Sequence, residues 1–361
     1  MSAAPFAVPV VDISPWVDGS DDAAARARVA REVDAACSSV GFVQVLGHGV
    51  PDDAVTGLAS AMDDFFSLPL PDKLTYKVPA NRGYSAPKSE SLSLSLGVEP
   101  ASRMNDFFEA FNVGVEARSF AGLDLDEADY GLNVWPDVPG FRERVETYFA
   151  EAGRVARTLL EVFEAALDLE PGFFARLTDH SIDVLRMNNY ALPPGEVTLD
   201  GALTGMGEHT DFGLVTVLWA DRVAGLQVLG PSNGAGAGAW HDVSPAEGAL
   251  LVNLGDLTAR LTNDRWSSTL HRVKPPVVDG RVERRRSAAY FHDGNVDAVV
   301  ATLPSHLDAG RWGGAAGEAY GPVSVRDHIA AKLAGSRQGR TNSSAVREAA
   351  RVLASQGSSP S

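Results

Sequence analysis

The chain has one cysteine in 361 residues, only 31 Lys and Arg against 47 Asp and Glu, and no apolar run long enough to cross a bilayer. Each shortage excludes a class of protein. A lone Cys37 can close no intramolecular disulfide and cannot supply the paired thiolates of a cysteine-rich zinc site. It stands at helical spacing with Val29 and Val33, the place of a small buried hydrophobe, and fits a reducing cytoplasm. The formal net charge of −16 removes the clustered basic residues on which nucleic-acid affinity rests, so no nucleic-acid partner is expected. The opening MSAAPFAVPVVDI lacks the basic head and apolar core of an export signal, and no membrane association is expected. No internal repeat is visible. What is present is ordinary for a soluble globular protein, with 45% hydrophobic and 22% charged residues and length enough for a sizeable core.

Patterning along the chain changes near residue 181. Before it, VPVVDIS (8–14) reads as a short strand, residues 21–40 as a helix, GFVQVLGHGVP as a strand ending in a turn, and 52–66 as a helix stopped by the prolines of SLPLPDK. The Ser-, Pro- and Gly-rich stretch 79–100 reads as a long loop, a length that is often functional. Residues 141–168 carry Val145, Tyr148, Ala152, Val155, Leu159 and Phe163 at helical spacing, which predicts a long amphipathic helix. After Ser181 come short apolar runs broken by Gly, Pro, Asn and Asp, the pattern of an all-β sandwich or barrel. GPSNGAGAG (230–238) reads as a hairpin loop and SQGSSPS as a disordered tail.

One strand candidate, in GEHTDFGLVTVLWAD (207–221), begins with chemistry. Residues two apart in a strand share a face, so His209 and Asp211 would both project inward while Thr210 points away. A third ligand must come from another strand, and His241, His271 and His292 are available. His271 is best placed, because NLGDLTARLTNDRWSSTLHRV reads as a strand, a turn and a second strand returning to the same sheet. Two histidines and one carboxylate leave three adjacent coordination positions open, the arrangement of non-heme Fe(II) oxygenases. A closed zinc site would need a fourth protein ligand.

In type and order, GFVQVLGHGVP, FFSLPLPDK, RGYS, HTDFGLVTVL, GLQVLG, VNLGDL, STLHRV and RRSAAYF resemble the isopenicillin N synthase-like family of Fe(II)- and 2-oxoglutarate-dependent oxygenases over most of the chain. The resemblance implies a mainly β fold, a double-stranded β-helix (jelly roll) with flanking helices. Within it, residues 1–180 would frame the barrel, 181–310 would form the oxygenase core and 311–361 a C-terminal helix and tail, as one catalytic unit. His209, Asp211 and His271 would be the iron ligands. The family's Arg-x-Ser motif maps to Arg285 and Ser287, whose fork and hydroxyl suit the far carboxylate of 2-oxoglutarate. Strand alternation separates Arg285 from Arg284 and Arg286, which face the other way. Asn188 and Tyr190 in LRMNNYALPP are the corresponding cosubstrate contacts. Continuing the alternation places Phe291 and Asp293 toward the barrel mouth as substrate contacts, with Tyr84 and Phe107 as candidates for the opposite wall.

The implied reaction consumes O2 and 2-oxoglutarate, releases succinate and CO2, and hydroxylates, desaturates or cyclises a small organic metabolite. Two alternatives stand beside it: an oxidative cyclase of the isopenicillin N synthase type that uses no 2-oxoglutarate, and a non-catalytic metal-binding jelly roll. The oligomeric state is left open.

Overall fold

The computed structural model describes residues 6–19, 21–79, 81–96, 106–191, 205–230, 238–278, 281–307, 320–338 and 345. The helices are α1 (Ser14–Val17), α2 (Ala23–Ser39), α3 (Asp52–Phe66), α4 (Leu70–Leu74), α5 (Phe141–Ala166), α6 (Ala175–Thr178), α7 (Asp256–Leu261) and α8 (Val325–Gln338). The Asp22 carboxylate caps α2 by accepting from the amides of Ala24 and Ala25, both at 3.0 Å, which satisfies two of the donors a helix start leaves over. Asp52 and Asp53 occupy the first turn of α3, where negative charge meets the positive end of the helix.

The strands form two main sheets. The larger has eight, in the order β1 (Val10–Asp12), β2 (Phe42–Leu46), β10 (Leu250–Leu254), β7 (Val215–Ala220), β14 (Arg285–His292), β5 (Val184–Tyr190), β4 (Glu109–Gly114) and β3 (Gly83–Ser85). Its pairings are antiparallel except β1 on β2. The smaller runs β6 (Met206–His209), β11 (His271–Val273), β8 (Leu226–Gly230) and β9 (Ala239–Asp242). A short hairpin, β12 (Val277–Val278) with β13 (Arg281–Val282), leads into β14.

Both faces of the large sheet are covered. On the outer face α5 packs with α2 and α3, burying the stripe Val145, Tyr148, Ala152, Val155, Leu159 and Phe163. Full burial of each Val, Leu or Phe side chain in it is worth about 1.5–3 kcal/mol. Gly153 brings α5 close to β14: a Cβ there would lie 2.6 Å from Tyr290 Oη, and Phe149 meets the Tyr290 ring at 5.0 Å. On the inner face Ala110, Tyr190 and Leu251 join Met206, Leu226, Val228 and Val273 of the small sheet in one apolar cluster. Two sheets facing across a shared core make the jelly roll that the sequence implied. Cys37 is buried in the outer core, 1% exposed.

Three readings are corrected. Between β10 and β11 the chain forms α7, not a turn and a strand: all six residues of DLTARL are buried, and a helix pairs their backbone groups internally. The stretch 79–100, expected as a loop, contains β3 and a 3₁₀ turn at Leu92–Leu96, where Tyr84 and Leu96 are buried. The strand carrying the His-x-Asp pair ends at His209, so Asp211 lies beyond it in irregular backbone. The tail SQGSSPS and residues 231–237 of the hairpin loop fall outside the described residues; β8 and β9 do pair up to Gly230 and Ala239 on either side of that loop. No helix among the described residues is long and apolar enough to cross a membrane.

Candidate active site

His209 ends β6 and His271 begins β11, and the two are direct cross-strand partners. Their rings lie 4.2 Å apart between centroids. Asp211 reaches the same point from the loop after β6, because the backbone turns sharply there. Gly213, two residues on, lets Asp293 pack against this loop: a Cβ on it would lie 1.9 Å from Asp293 Oδ1. Asp211 Oδ1 is 3.8 Å from His209 Nε2 and 3.7 Å from His271 Nε2. The three side chains are buried, and their ligand atoms lie within 4.8 Å of one another.

The surroundings leave the right atoms free. His209 Nδ1 donates to the Gly207 carbonyl at 2.8 Å and His271 Nδ1 to the Thr269 carbonyl at 3.1 Å. A carbonyl only accepts, so each proton is fixed on Nδ1 and each Nε2 lone pair faces Asp211. Asp211 Oδ2 accepts from Thr216 Oγ1 at 2.5 Å and Asn253 Nδ2 at 2.6 Å, which turns Oδ1 toward the histidines. Burial first, and the neighbouring His271 second, hold His209 well below the usual histidine range. It is therefore neutral, the form that binds a metal.

This triad opens into a cavity of about 110 Å³ lined by both sheets and α8. The cosubstrate candidates reach it as two cross-strand pairs, Arg285 opposite Tyr190 and Ser287 opposite Asn188. Arg285 is 2% exposed, and among the described residues its Nε and Nη1 have no hydrogen-bond partner. Its guanidinium lies over the Tyr190 ring at 5.1 Å. A buried guanidinium with idle donors is costly unless an anion completes it, and a carboxylate matches its fork. Tyr190 is pushed above the usual tyrosine range by burial, with Arg285 opposing. The donor set and the idle cation thus fit Fe(II) and a dicarboxylate cosubstrate.

Phe291 and Asp293 line the cavity, as the alternation of β14 required. Burial, then Asp183 and Asp211, push the Asp293 carboxyl well above the usual carboxylate range. Tyr84 and Phe107 are placed elsewhere. Tyr84 donates to Glu109 Oε2 at 2.6 Å in the outer core, and Phe107 packs edge-on behind Tyr190 at 6.4 Å. His241 stacks on Phe6, and His292 Nδ1 bonds to Asp183 at 2.8 Å on the outer face. The opposite wall is built instead by Glu90, Asn112, Arg186 and Phe212, and by Ile329 and Leu333 of α8. Asn253 was also missed. Its only sequence signal is its strand position in VNLGDL, two residues before the Gly that opens α7.

Residues 8–138 match the N-terminal domain family of the non-haem dioxygenases in morphine synthesis, and residues 182–294 match the 2OG-Fe(II) oxygenase superfamily. The chain is 34% identical over 334 residues to the 2-oxoglutarate-Fe(II) type oxidoreductase hxnY of Emericella nidulans, covering 90% of this chain and 89% of that protein. The chain belongs to the 2OG-Fe(II) oxygenase superfamily. It is also 33% identical to the validamycin A dioxygenase of Streptomyces hygroscopicus subsp. limoneus, over 84% of this chain and 81% of that one. The crystal structure of a full-length Neurospora crassa protein in complex with alpha-KG and thymine superposes with a TM-score of 0.74 at 25% identity, over 91% and 96% of the two chains. This oxygenase is a non-heme iron, 2-oxoglutarate-dependent dioxygenase that oxidises small molecules, with Fe(II), 2-oxoglutarate and O2 as its cofactor and cosubstrates. Of the readings the sequence left open, the 2-oxoglutarate-dependent one is the one supported.

Proposed function

We propose that His209, Asp211 and His271 hold the iron, that Arg285, Ser287, Asn188 and Tyr190 hold 2-oxoglutarate, and that Phe291 and Asp293 contact the prime substrate. The observation that carries this reading is the convergence of the buried triad and the idle Arg285 guanidinium on one cavity. Bound Fe(II) would supply activation of O2 coupled to oxidative decarboxylation of 2-oxoglutarate, chemistry that belongs to the cofactor. The chain supplies placement. Arg285 anchors the far carboxylate, Ser287 adds a hydroxyl, and Asn253 and Thr216 fix the Asp211 carboxylate so that one oxygen stays directed at the metal position. Phe291, Phe212, Ile329 and Leu333 give the substrate side an apolar, water-poor wall.

Residues 1–180, 181–310 and 311–361 are taken as one catalytic unit, a reading supported by the pairing of β1–β4 into the barrel's own large sheet and by the α8 side chains in the cavity. The net charge of −16 supports a free small molecule as substrate rather than a nucleic acid, and the single buried cysteine supports a cytoplasmic setting. The test is substrate-dependent succinate release from iron-loaded protein across a metabolite library, with Arg285→Gln run in parallel. Succinate release that is independent of Arg285 would sink the cosubstrate assignment.

A further inference from the structure

Beyond the triad and Arg285, the cavity carries polar groups that neither iron nor 2-oxoglutarate requires. Arg337, on the last turn of α8, stands where this cavity adjoins a second one of about 330 Å³; Asn81, Val184, Asp293, Ile329, Leu333 and Arg337 line both. Arg337 Nη2 donates to Asn81 Oδ1 at 2.6 Å, and Asn112 Nδ2 donates to the same oxygen at 2.8 Å. Arginine can only donate, so the Asn81 amide must present its oxygen. That oxygen in turn fixes the Asn112 amide, with its nitrogen toward Asn81 and its oxygen turned away. Asn112 is 2% exposed, and its Oδ1 has no partner among the described residues. A buried acceptor of this kind calls for a donor from a ligand or water.

The charges beside it do not cancel. Arg186 Nη2 is 3.1 Å from Glu90 Oε2 and Arg337 Nη2 is 3.8 Å from Glu90 Oε1. Although burial works against it, Arg186 and Arg337 hold the Glu90 carboxyl below the usual range, so it is ionised. Among the described residues two cations share this one anion, and one positive charge is left over. Among the described residues Arg337 Nε and Nη1 have no acceptor, while its side chain stays 23% exposed, within reach of a ligand arriving from the outer cavity. Asp293 lines both cavities too, but its carboxyl packs against Gly213 and forms no ion pair with Arg337 or Arg186.

We propose that the prime substrate is a small carboxylate whose acid group is taken by Arg337 at the seam of the two cavities, and which presents an N–H or O–H to Asn112 Oδ1. The proposal rests on the assignment of the iron and cosubstrate ends made above. Because Arg337 and Asn112 meet on one Asn81 oxygen, the acid and the donor belong to the same end of the substrate. The walls of Phe212, Phe291, Ile329 and Leu333 take an apolar or aromatic body.

Pyrrole-2-carboxylate, methyl pyrrole-2-carboxylate and furan-2-carboxylate separate the two contacts, since the ester lacks the charge and the furan lacks the N–H. Anaerobic calorimetry on protein loaded with Fe(II) and 2-oxoglutarate should show pyrrole-2-carboxylate binding about tenfold or more tighter than either relative, the range of a charge-assisted hydrogen bond. Arg337→Met should bring the acid to the level of its ester, Arg337→Lys should keep part of the preference, and Asn112→Leu should erase the gap between pyrrole and furan. The proposal is overturned if the acid does not bind, binds no better than the ester, or keeps its advantage in Arg337→Met. It is equally overturned if 2-oxoglutarate competes with the acid and Arg285→Gln abolishes acid binding, because the acid then occupies the cosubstrate's place. Titrating Fe(II) and 2-oxoglutarate alone tests the underlying assignment, and repeating the probe series on metal-free protein reads Arg337 whatever that outcome.

Discussion

His209 sits neutral in the interior because burial and a second histidine both oppose its proton, and its free Nε2 has nowhere to turn except toward Asp211. Replacing His209, Asp211 or His271 by Ala should therefore remove iron from the purified protein while circular dichroism stays native, since two remaining ligands hold an open site poorly. Full metal content in any of the three would refute the assignment of that ligand. Arg285→Gln should weaken 2-oxoglutarate binding by about 2–5 kcal/mol, on the order of 30-fold to several thousand-fold. Its neighbour provides the control. Arg284 is part-exposed and paired with Asp63 and Asn189, so Arg284→Gln should leave cosubstrate affinity within about threefold, as an exposed pair contributes only about 0–1 kcal/mol. Equal losses at both positions would mean a general basic turn instead of a directed contact.

At the scale of elements, α8 is held under the metal loop by a buried ion pair. Lys332, 1% exposed, places Nζ 2.8 Å from Asp256 Oδ2 and donates to Thr210 Oγ1 at 3.1 Å. Thr210 stands between the two proposed ligands His209 and Asp211, and the Asp256 amide donates to the Asp211 carbonyl at 2.9 Å. Lys332→Met takes the lysine charge from the buried Asp256 and leaves it the Ser268 and Thr210 hydroxyls and His328 at 3.7 Å, so it should cost up to about 3–5 kcal/mol in urea unfolding and weaken iron binding as the loop loosens. Lys332→Met with Asp256→Asn should recover much of that stability. A Lys332→Met protein as stable as the parent would show that α8 is not anchored there. This contact also marks how far the sequence could be read. The alternation of β14, continued one residue past its end, brings Arg285, Ser287, Phe291 and Asp293 to the cavity they line, and the spacing of α5 gave its buried stripe, because both patterns are local. Nothing local shows that Lys332 is a core residue, since a lysine in a helix ordinarily reads as solvated. Likewise Tyr84 and Phe107 were candidates for the opposite wall, whereas part of that wall comes from Ile329 and Leu333 of α8, some 220 residues along the chain from Phe107.

For the whole molecule, the buried carboxylates set the response to acid. Burial would raise Asp183, but the His292 ring and the Ser181 and Tyr290 hydroxyls outweigh it and hold the carboxyl below its usual value. Asp256 is lowered in the same sense, with Lys332 and His328 outweighing burial. A folded-state pKa below the unfolded value of about 3.9 means stability that is complete above that value and is lost as pH falls toward the folded one. The urea midpoint should therefore drop steeply below about pH 4, and Asp183→Asn should flatten the drop while lowering the midpoint at pH 7. A native protein whose midpoint is level from pH 7 to pH 3 would contradict this.

The lone thiol gives the molecule a built-in clock. Burial, and Asp34 second, push the Cys37 thiol well above the usual cysteine range, so the folded protein offers a labelling reagent neither access nor thiolate. Modification must wait for the α2 core to open, and its rate reads how often that happens. Ligands that bind only the folded state make openings rarer in proportion to their occupancy. At a hundred times its dissociation constant, 2-oxoglutarate should slow labelling about a hundredfold if the opening is global, so saturation of the iron end could be followed from a sulfur atom on the far side of the sheet.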